Sequence, residues 1–472
     1  MKKNFAYNIA WQMLTLVSSV VLIPYISRVL GADGIGTYSF TYSIVYYFML
    51  IALLGINNHG NRAIAKARED HKKLSETFAS IYFIQITVSL LMVVLYILYL
   101  ILFQPDFLNI AQIQTIYIFS AMFDINWFFF GLEEFRATTI RNIIIKVLSI
   151  LAIFLFVRTP NDVWIYTLIM AGSTLASQLV MWPLLLKKVK LIIPKWKEIA
   201  KHIKPCLVLF IPVIAVSLYK VMDKIMLGSM TDVQEVGYYE QAENITLMPL
   251  SIVTALGNVM MPRMSNFAGK GHEHLMKKYI EKAITFSMFL SFPICLGIIA
   301  TANNFVPIFM GDGFESSIVP LQLLSVVPIF LAFVSILKVG FLIPKERDGT
   351  YVRLTLLGAV INLIINFLLI PNMKSVGACI GTVITEFVVA LYQIVAVWKE
   401  LPVMEYMKNV APFLLKSLVM FAVVLAIDYF SKLSALWTIV LQVGVGVIIY
   451  ALLNVKYGKE ILYKITKKEG IK

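Results

Sequence analysis

Two lysines one helical turn apart, Lys220 and Lys224, lie inside an otherwise apolar stretch and are suited to holding an anion on one helix face. Asp223, three residues from Lys220, is placed to neutralise it. Glu240 and Glu243 fall at similar depth on the next apolar stretch, so ion pairs across the two helices are within reach. Arg28 stands near the outer end of the first stretch, where its long side chain can also snorkel to the interface. Two readings follow. Either these charges neutralise one another as internal struts, or Arg28, Lys220 and Lys224 line a cationic chamber that receives an anionic head group. Asp124 and Glu386 are lone carboxylates within apolar segments. An ionised group there is costly, which suits reversible protonation or cation binding (H+ or Na+) in a coupled transporter. The alternative is a carboxyl hydrogen-bonded to a neighbouring helix. Asp124 is the first candidate for coupling, ahead of Glu386, with Asp223, Glu240 and Glu243 completing the set.

The elements that must position these groups are membrane spans. Of 472 residues 59% are hydrophobic and only 14% charged, with a mean hydropathy of +0.82. A soluble domain carries nearly twice that charge. Segments of about 20 apolar residues, enough to cross a bilayer, recur about 14 times. The fifth, over 142–157, is short, the fourth covers 110–131 and the seventh 205–228. With the Lys2–Lys3 end in the cytoplasm, an even count puts both termini there. Of the 41 Lys and Arg residues, only Arg28, Arg158, Lys374 and Lys432 then fall on the outward side, while Lys220 and Lys224 sit within the seventh span. That asymmetry is the positive-inside pattern of a multi-pass cytoplasmic-membrane protein. It also accounts for the net charge of +14 without nucleic acid, leaving anionic membrane lipids as partners. The stretch 9–27 lacks a small-residue cleavage site and reads as the first span. Cys206, Cys295 and Cys379 all fall in or at spans, which implies neither a disulfide framework nor a metal site.

A repeat organises the chain. Gly36-Thr37-Tyr38 and Gly237-Tyr238-Tyr239 are followed, each after the same interval, by Arg62 and Arg263, with Arg28–Gly31 and Lys224–Gly228 upstream. The expected architecture is all-α: an N-lobe of six spans (1–186), a basic cytoplasmic linker (187–204) and a C-lobe of six spans (205–398). Two further spans (399–455) and a basic cytoplasmic tail (456–472) complete it. Two lobes in the same orientation imply a pseudo-twofold axis along the membrane normal and a cavity between them. No phosphate loop, nucleophile elbow or zinc motif occurs. No outward loop is long enough for an external catalytic site, so the chain is not expected to be an enzyme. The tyrosines at 38, 42, 46 and 47 fit interfacial belts and packing, or stacking against sugars.

Several segments carry a resemblance: Asn61–Lys66, Trp127–Glu134, Arg141–Lys146, Asp223–Gly228 and Val236–Tyr239. In this order, along about residues 5–460, the chain resembles bacterial oligosaccharide flippases of the polysaccharide-transporter family. That family lies within the multidrug/oligosaccharidyl-lipid/polysaccharide exporter superfamily. The resemblance implies translocation of an undecaprenyl-pyrophosphate-linked oligosaccharide between leaflets, by ion-driven alternating access and without a cofactor. Capsule, exopolysaccharide or O-antigen assembly would use the product, alongside a polymerase and its assembly machinery. Asn57-Asn58-His59-Gly60 departs from the pattern, since an aromatic is expected near that glycine. An ion-coupled drug or metabolite exporter on the same fold is the rival reading.

Overall fold

The computed structural model describes residues 2–459, which are helical with no strand among them. Among these residues, ten helical stretches are long and apolar enough to cross a membrane. By internal contacts the chain divides into two compact units, residues 1–240 with 363–375 and residues 241–362 with 376–472.

The first unit contains α1 (Lys2–Leu53), α2 (Ile56–Ala67), α3 (His71–Phe103), α4 (Leu108–Met122) and α5 (Asn126–Gly131). It continues with α6 (Phe135–Phe156), α7 (Val163–Leu179), α8 (Trp182–Leu186), α9 (Trp196–Met230) and the start of α10 (Val233–Leu247). Many large apolar side chains also point outward, with Leu102 67% and Phe103 72% exposed, because the surrounding solvent is hydrocarbon. Small and polar residues such as Ser39, Ser43, Ser80 and Ser89 are buried instead. With no hydrophobic force between helices in lipid, close backbone approach and hydrogen bonds hold them together.

The interruption between α4 and α5 is matched by donors. α4 and α5 are separated at Phe123–Ile125, which frees carbonyls that the apolar surroundings cannot satisfy. Gln85 of α3, fully buried, donates from Nε2 to the carbonyls of Ala121 and Asp124, each at 2.7 Å. The Trp182 indole donates to the Phe123 carbonyl at 3.2 Å. Gln85 is itself oriented by Trp127, whose Nε1 donates to Gln85 Oε1 at 3.0 Å. The Trp127 ring also fills the corner of α2, where a Cβ on Gly60 would lie 2.5 Å from ring atom Cε3. That indole supplies the aromatic neighbour missing from the local sequence. Asp70 caps α3 in the following turn by accepting from the Lys72 and Lys73 amides at 2.9 and 3.2 Å, bonds that hold its carboxyl below the usual carboxylate range.

Several boundaries differ from those read in the sequence. The fifth span is not short, because α6 begins at Phe135 and runs 22 residues. The fourth is not continuous, and Asp124 stands in its break. The last residues of the basic linker belong to α9, which starts at Trp196. α1 is interrupted at Gly31 (φ 67°, ψ 179°).

The second unit holds the rest of α10, with α11 (Leu250–Gly269), α12 (Glu273–Phe309), α13 (Ile318–Leu324) and α14 (Val327–Leu337). It also holds both flanks of α15 (Asp348–Val397), then α16 (Val403–Phe430) and α17 (Ala435–Leu453). Pro293 cannot donate to the carbonyl one turn earlier in α12. Tyr450 of α17 supplies that bond, its hydroxyl donating to the Phe289 carbonyl at 2.8 Å. The unit's core is rich in methionine, with Met264, Met276 and Met288 packed against Phe333 and Phe341. Cys206, Cys295 and Cys379 are all buried and in no disulfide.

Gln85→Leu strands two carbonyls and the Trp127 indole at once. It is expected to destabilise the protein in detergent by about 3 kcal/mol, counting roughly 1–3 kcal/mol for each buried group left unpaired, as read by denaturant titration.

Candidate functional site

The N-terminal ends of α10 and the part of α1 beyond Gly31 come together through pairs of positions separated by a single offset. Ser39 Oγ donates to Glu240 Oε2 at 2.6 Å, and Gln234 Nε2 donates to Asp33 Oδ2 at 3.4 Å, each pair 201 residues apart. The two glycines of the sequence repeat meet there as well. A Cβ on Gly36 would lie 1.7 Å from the Val233 carbonyl oxygen, and one on Gly237 would lie 2.1 Å from that of Ala32. The contact is reciprocal, since Ala32 and Val233 are themselves equivalent positions. Only a residue without a side chain permits such an approach of two backbones.

Around this contact the charged residues are engaged. Lys224 of α9 pairs with Glu240 at 2.5 Å, so the anticipated ion pair across the two helices forms. Both side chains are mostly withdrawn from solvent, at 15% and 20% exposure. Asp223 is buried and accepts from the Tyr239 hydroxyl at 2.9 Å and from Asn366 Nδ2 of α15 at 2.6 Å. It therefore does not neutralise Lys220, which is exposed and forms no ion pair among the described residues. One helix face thus carries two lysines in different environments. Arg28 is exposed and donates to the Pro24 carbonyl of its own helix at 3.2 Å. Glu243 lies one turn beyond Glu240 on α10 and is partly buried, while Glu386 of α15 is buried in the second unit.

The interruption of α15 at Lys374 (φ 50°, ψ −129°) is held by Glu235 in the first turn of α10 and by Asp232 just before it. A left-handed lysine costs about 1–3 kcal/mol. Glu235 offsets it by accepting from the Ser375 amide at 3.2 Å and hydroxyl at 2.5 Å. Lys374 Nζ lies 3.3 Å from Glu235 and 3.4 Å from Asp232. The tyrosines beneath form a packed interior cluster rather than an interfacial belt. Tyr38 and Tyr117 share a hydroxyl hydrogen bond of 2.7 Å, and Tyr42 and Tyr166 pack edge-on against Tyr117 and Tyr38 respectively.

A second polar cluster surrounds Asp124. Its carboxylate accepts from the Asn126 amide at 2.9 Å, and the Asn126 side chain donates to Gln178 Oε1 at 3.1 Å. Arg141 of α6 is the cation coupled electrostatically to Asp124. It is 6% exposed, and its Nε and Nη2 donate to Asn142 Oδ1 at 3.1 and 2.6 Å. Lys146 follows on the same helix, partly buried. Sequence reading assigned Arg141 and Lys146 to a cytoplasmic helix end because it began the span at residue 142. α6 begins at Phe135, so both lie within the helix and not at its end. His59 and His202 share one hydrogen bond (Nε2···Nδ1 2.8 Å), one ring donating and the other accepting. Among the described residues no three His, Cys, Asp or Glu side chains group to hold a metal.

Residues 1–268 match the family model described as polysaccharide biosynthesis protein. The chain belongs to that family. A second model, MatE, matches residues 209–368. Lys224 and Glu240 thus lie in the region where both models apply. Among curated relatives, a putative O-antigen transporter of Shigella dysenteriae is 24% identical over 403 residues, covering 84% of this chain and all of that protein. Among solved structures, the lipid II flippase MurJ in an inward closed conformation aligns with a TM-score of 0.76 at 14% identity, covering 98% of this chain and 100% of that one. An inward-facing multidrug resistance transporter of the MATE family aligns at 0.58 and 14% identity, covering 81% of this chain and 99% of that one. These likenesses establish the fold, and with the family match the chain is a multi-pass protein of the cytoplasmic membrane.

Gly36→Ala places a methyl group inside the Val233 carbonyl and must part the contact. With Ser39→Cys as reporter in purified protein, maleimide labelling is expected to quicken by about tenfold, the equivalent of roughly 1.4 kcal/mol in the opening equilibrium. An unchanged rate would mean that the glycine contact does not control access.

Proposed function

We propose that the chain is a flippase that moves undecaprenyl-pyrophosphate-linked oligosaccharide units from the inner to the outer leaflet by ion-coupled alternating access, supplying surface polysaccharide assembly. The observation that carries this is the family match over residues 1–268. Likeness to the whole of a putative O-antigen transporter supports it. In this reading α1 and α15, each interrupted by one non-helical residue, count as two passes, and α4 with α5 and α10 with α11 add one pass each to the ten long apolar stretches, which gives fourteen with both ends in the cytoplasm. Spans 1–6 (1–186) and 7–12 (205–398) are the two lobes, joined by 187–204, with two spans (399–455) and the tail (456–472) beyond them. The reciprocal contacts at an offset of 201 support a pseudo-twofold relation between the lobes.

The chemistry follows from the charges. Lys224 already holds a carboxylate, and a pyrophosphate oxygen is a competing acceptor for the same ammonium group. Substrate entering from the cytoplasmic side replaces Glu240 as its partner, which frees Glu240 and loosens the Ser39 contact that closes the outer end. Lys220 and Arg28, both exposed, supply further positive charge to the head group. Asp124 takes the coupling ion, H+ or Na+, with Arg141 as the neighbouring cation whose balance changes when the carboxylate is neutralised. Glu386 stands behind it as a second coupling site, and Asp223, Glu240 and Glu243 as further ones. No bond in the substrate is made or broken, so the protein acts as a transporter rather than an enzyme. Its partners are the lipid-linked oligosaccharide, membrane lipids and the polymerase that consumes the product.

A second reading, export of a small molecule or drug, is favoured by the MatE match over 209–368 and the MATE-like fold. A cationic drug requires unpaired carboxylates along its path, whereas Glu240 and Asp223 are both engaged.

Depletion in the native host separates the two. Complete oligosaccharide units on undecaprenyl carrier are expected to accumulate while surface polymer is lost. Normal levels of these intermediates, with greater sensitivity to toxic cations, would replace the flippase reading by the exporter. In the depleted strain, joint Lys220→Gln and Lys224→Gln replacement is expected to lower polymer export at least about tenfold, as loss of a charge-assisted contact implies, with the protein still in the membrane. Full export by that variant would remove the lysines from the head-group site.

A further inference from the structure

A crevice of 560 Å³ opens on the flank of the first unit, between the N-terminal part of α6 and the α7–α8 junction. Its walls are Ile140, Ile144, Val180 and Leu184, each more than a third exposed and so in contact with hydrocarbon. Its polar end is formed by Glu133, Glu134, Arg136 and Arg141. Both carboxylates are already paired, Glu133 with Arg68 at 2.9 Å and Glu134 with Lys188 at 2.6 Å. Arg136 makes no ion pair among the described residues, and the nearly buried Arg141 has one nitrogen, Nη1, with no acceptor. A buried guanidinium nitrogen without a partner is costly, and the local charge that remains is positive.

We propose that this crevice is a site for an anionic glycerophospholipid of the cytoplasmic leaflet. The phosphodiester accepts from Arg136 and Arg141, and an acyl chain lies along Ile140, Ile144 and Val180. The chemistry is complementary at both ends, since the arginines need a dispersed anion and the walls need hydrocarbon. Basic pockets between helices near the cytoplasmic surface are suited to such head groups. The site is separate from Lys224 and independent of what the protein transports. Because Arg141 is also the cation coupled to Asp124, an occupying phosphate shares that guanidinium with the carboxylate and bears on its charge balance.

The test uses the full-length protein in nanodiscs of equal parts dioleoylphosphatidylglycerol and dioleoylphosphatidylcholine, with retained lipid counted by mass spectrometry after delipidation. Phosphatidylglycerol is expected to be retained about five-fold over phosphatidylcholine, the scale of one arginine's attraction to an anionic lipid. Arg136→Gln should abolish the preference. Ile144→Trp, which fills the crevice without altering its charge, should do the same, and Val180→Trp serves if either variant is not monodisperse. Equal retention of the two lipids, or a preference unchanged in the variants, would overturn the proposal. So would displacement by millimolar inorganic phosphate, which would make this a free-anion site. Displacement by equimolar undecaprenyl pyrophosphate would assign the crevice to that lipid and equally reject a resident phospholipid.

Discussion

Inside a bilayer, a carbonyl or amide that leaves a helix has no water to turn to, and each such group must find a partner within the protein. The rest of this structure depends on that constraint. It is why Gln85 is buried at the α4–α5 break, why the Trp182 indole reaches Phe123, and why Tyr450 serves the carbonyl released by Pro293. The breaks are in turn what place the chemistry. Asp124 is held by the Asn126 amide because the chain turns out of α4 there, and Glu235 reaches Ser375 because α15 is interrupted at Lys374. A continuous helix would offer neither carboxylate a backbone amide.

The same economy governs charge. Two carboxylates deep in the first unit are acceptors already matched to donors: Glu240 with Lys224 and Ser39, Asp223 with Tyr239 and Asn366. Such an arrangement is stable while closed and exchangeable. Replacing one acceptor by another at Lys224 costs far less than exposing a bare ammonium group in low dielectric. In the proposed exchange Lys224 keeps an acceptor throughout, so ligand competition can drive movement without a bare ammonium group.

Much of this was legible in the sequence, for physical reasons. Apolar length and the distribution of basic residues follow directly from the bilayer, so the helical membrane architecture and the contact between helices bearing Lys224 and Glu240 could be read from them. The glycine repeat showed itself because close backbone approach admits no other residue. What the sequence concealed depends on partners far along the chain. Three residues separate Asp223 from Lys220, which made them look like a pair, yet the fold sends Asp223 to Asn366, 143 positions away. Arg141 and Lys146 looked like charges at a helix end because the polar opening turns of α6 resemble a loop in hydropathy. The interruption at Asp124 left no Pro or Gly to announce it.

The reciprocal contact has a consequence for any chain whose halves meet at equivalent positions of a repeat. In an unaltered duplicate, any residue at such a contact faces its own copy, and a carboxylate there would be opposed by a second carboxylate. Here Ser39 faces Glu240 and Asp33 faces Gln234, so in each pair one position holds an acid and its counterpart a neutral hydrogen-bond donor. Sequence asymmetry is thus a requirement of closing the seam. The same acid at both positions of a pair would set carboxylate against carboxylate unless protons or bound cations neutralised them.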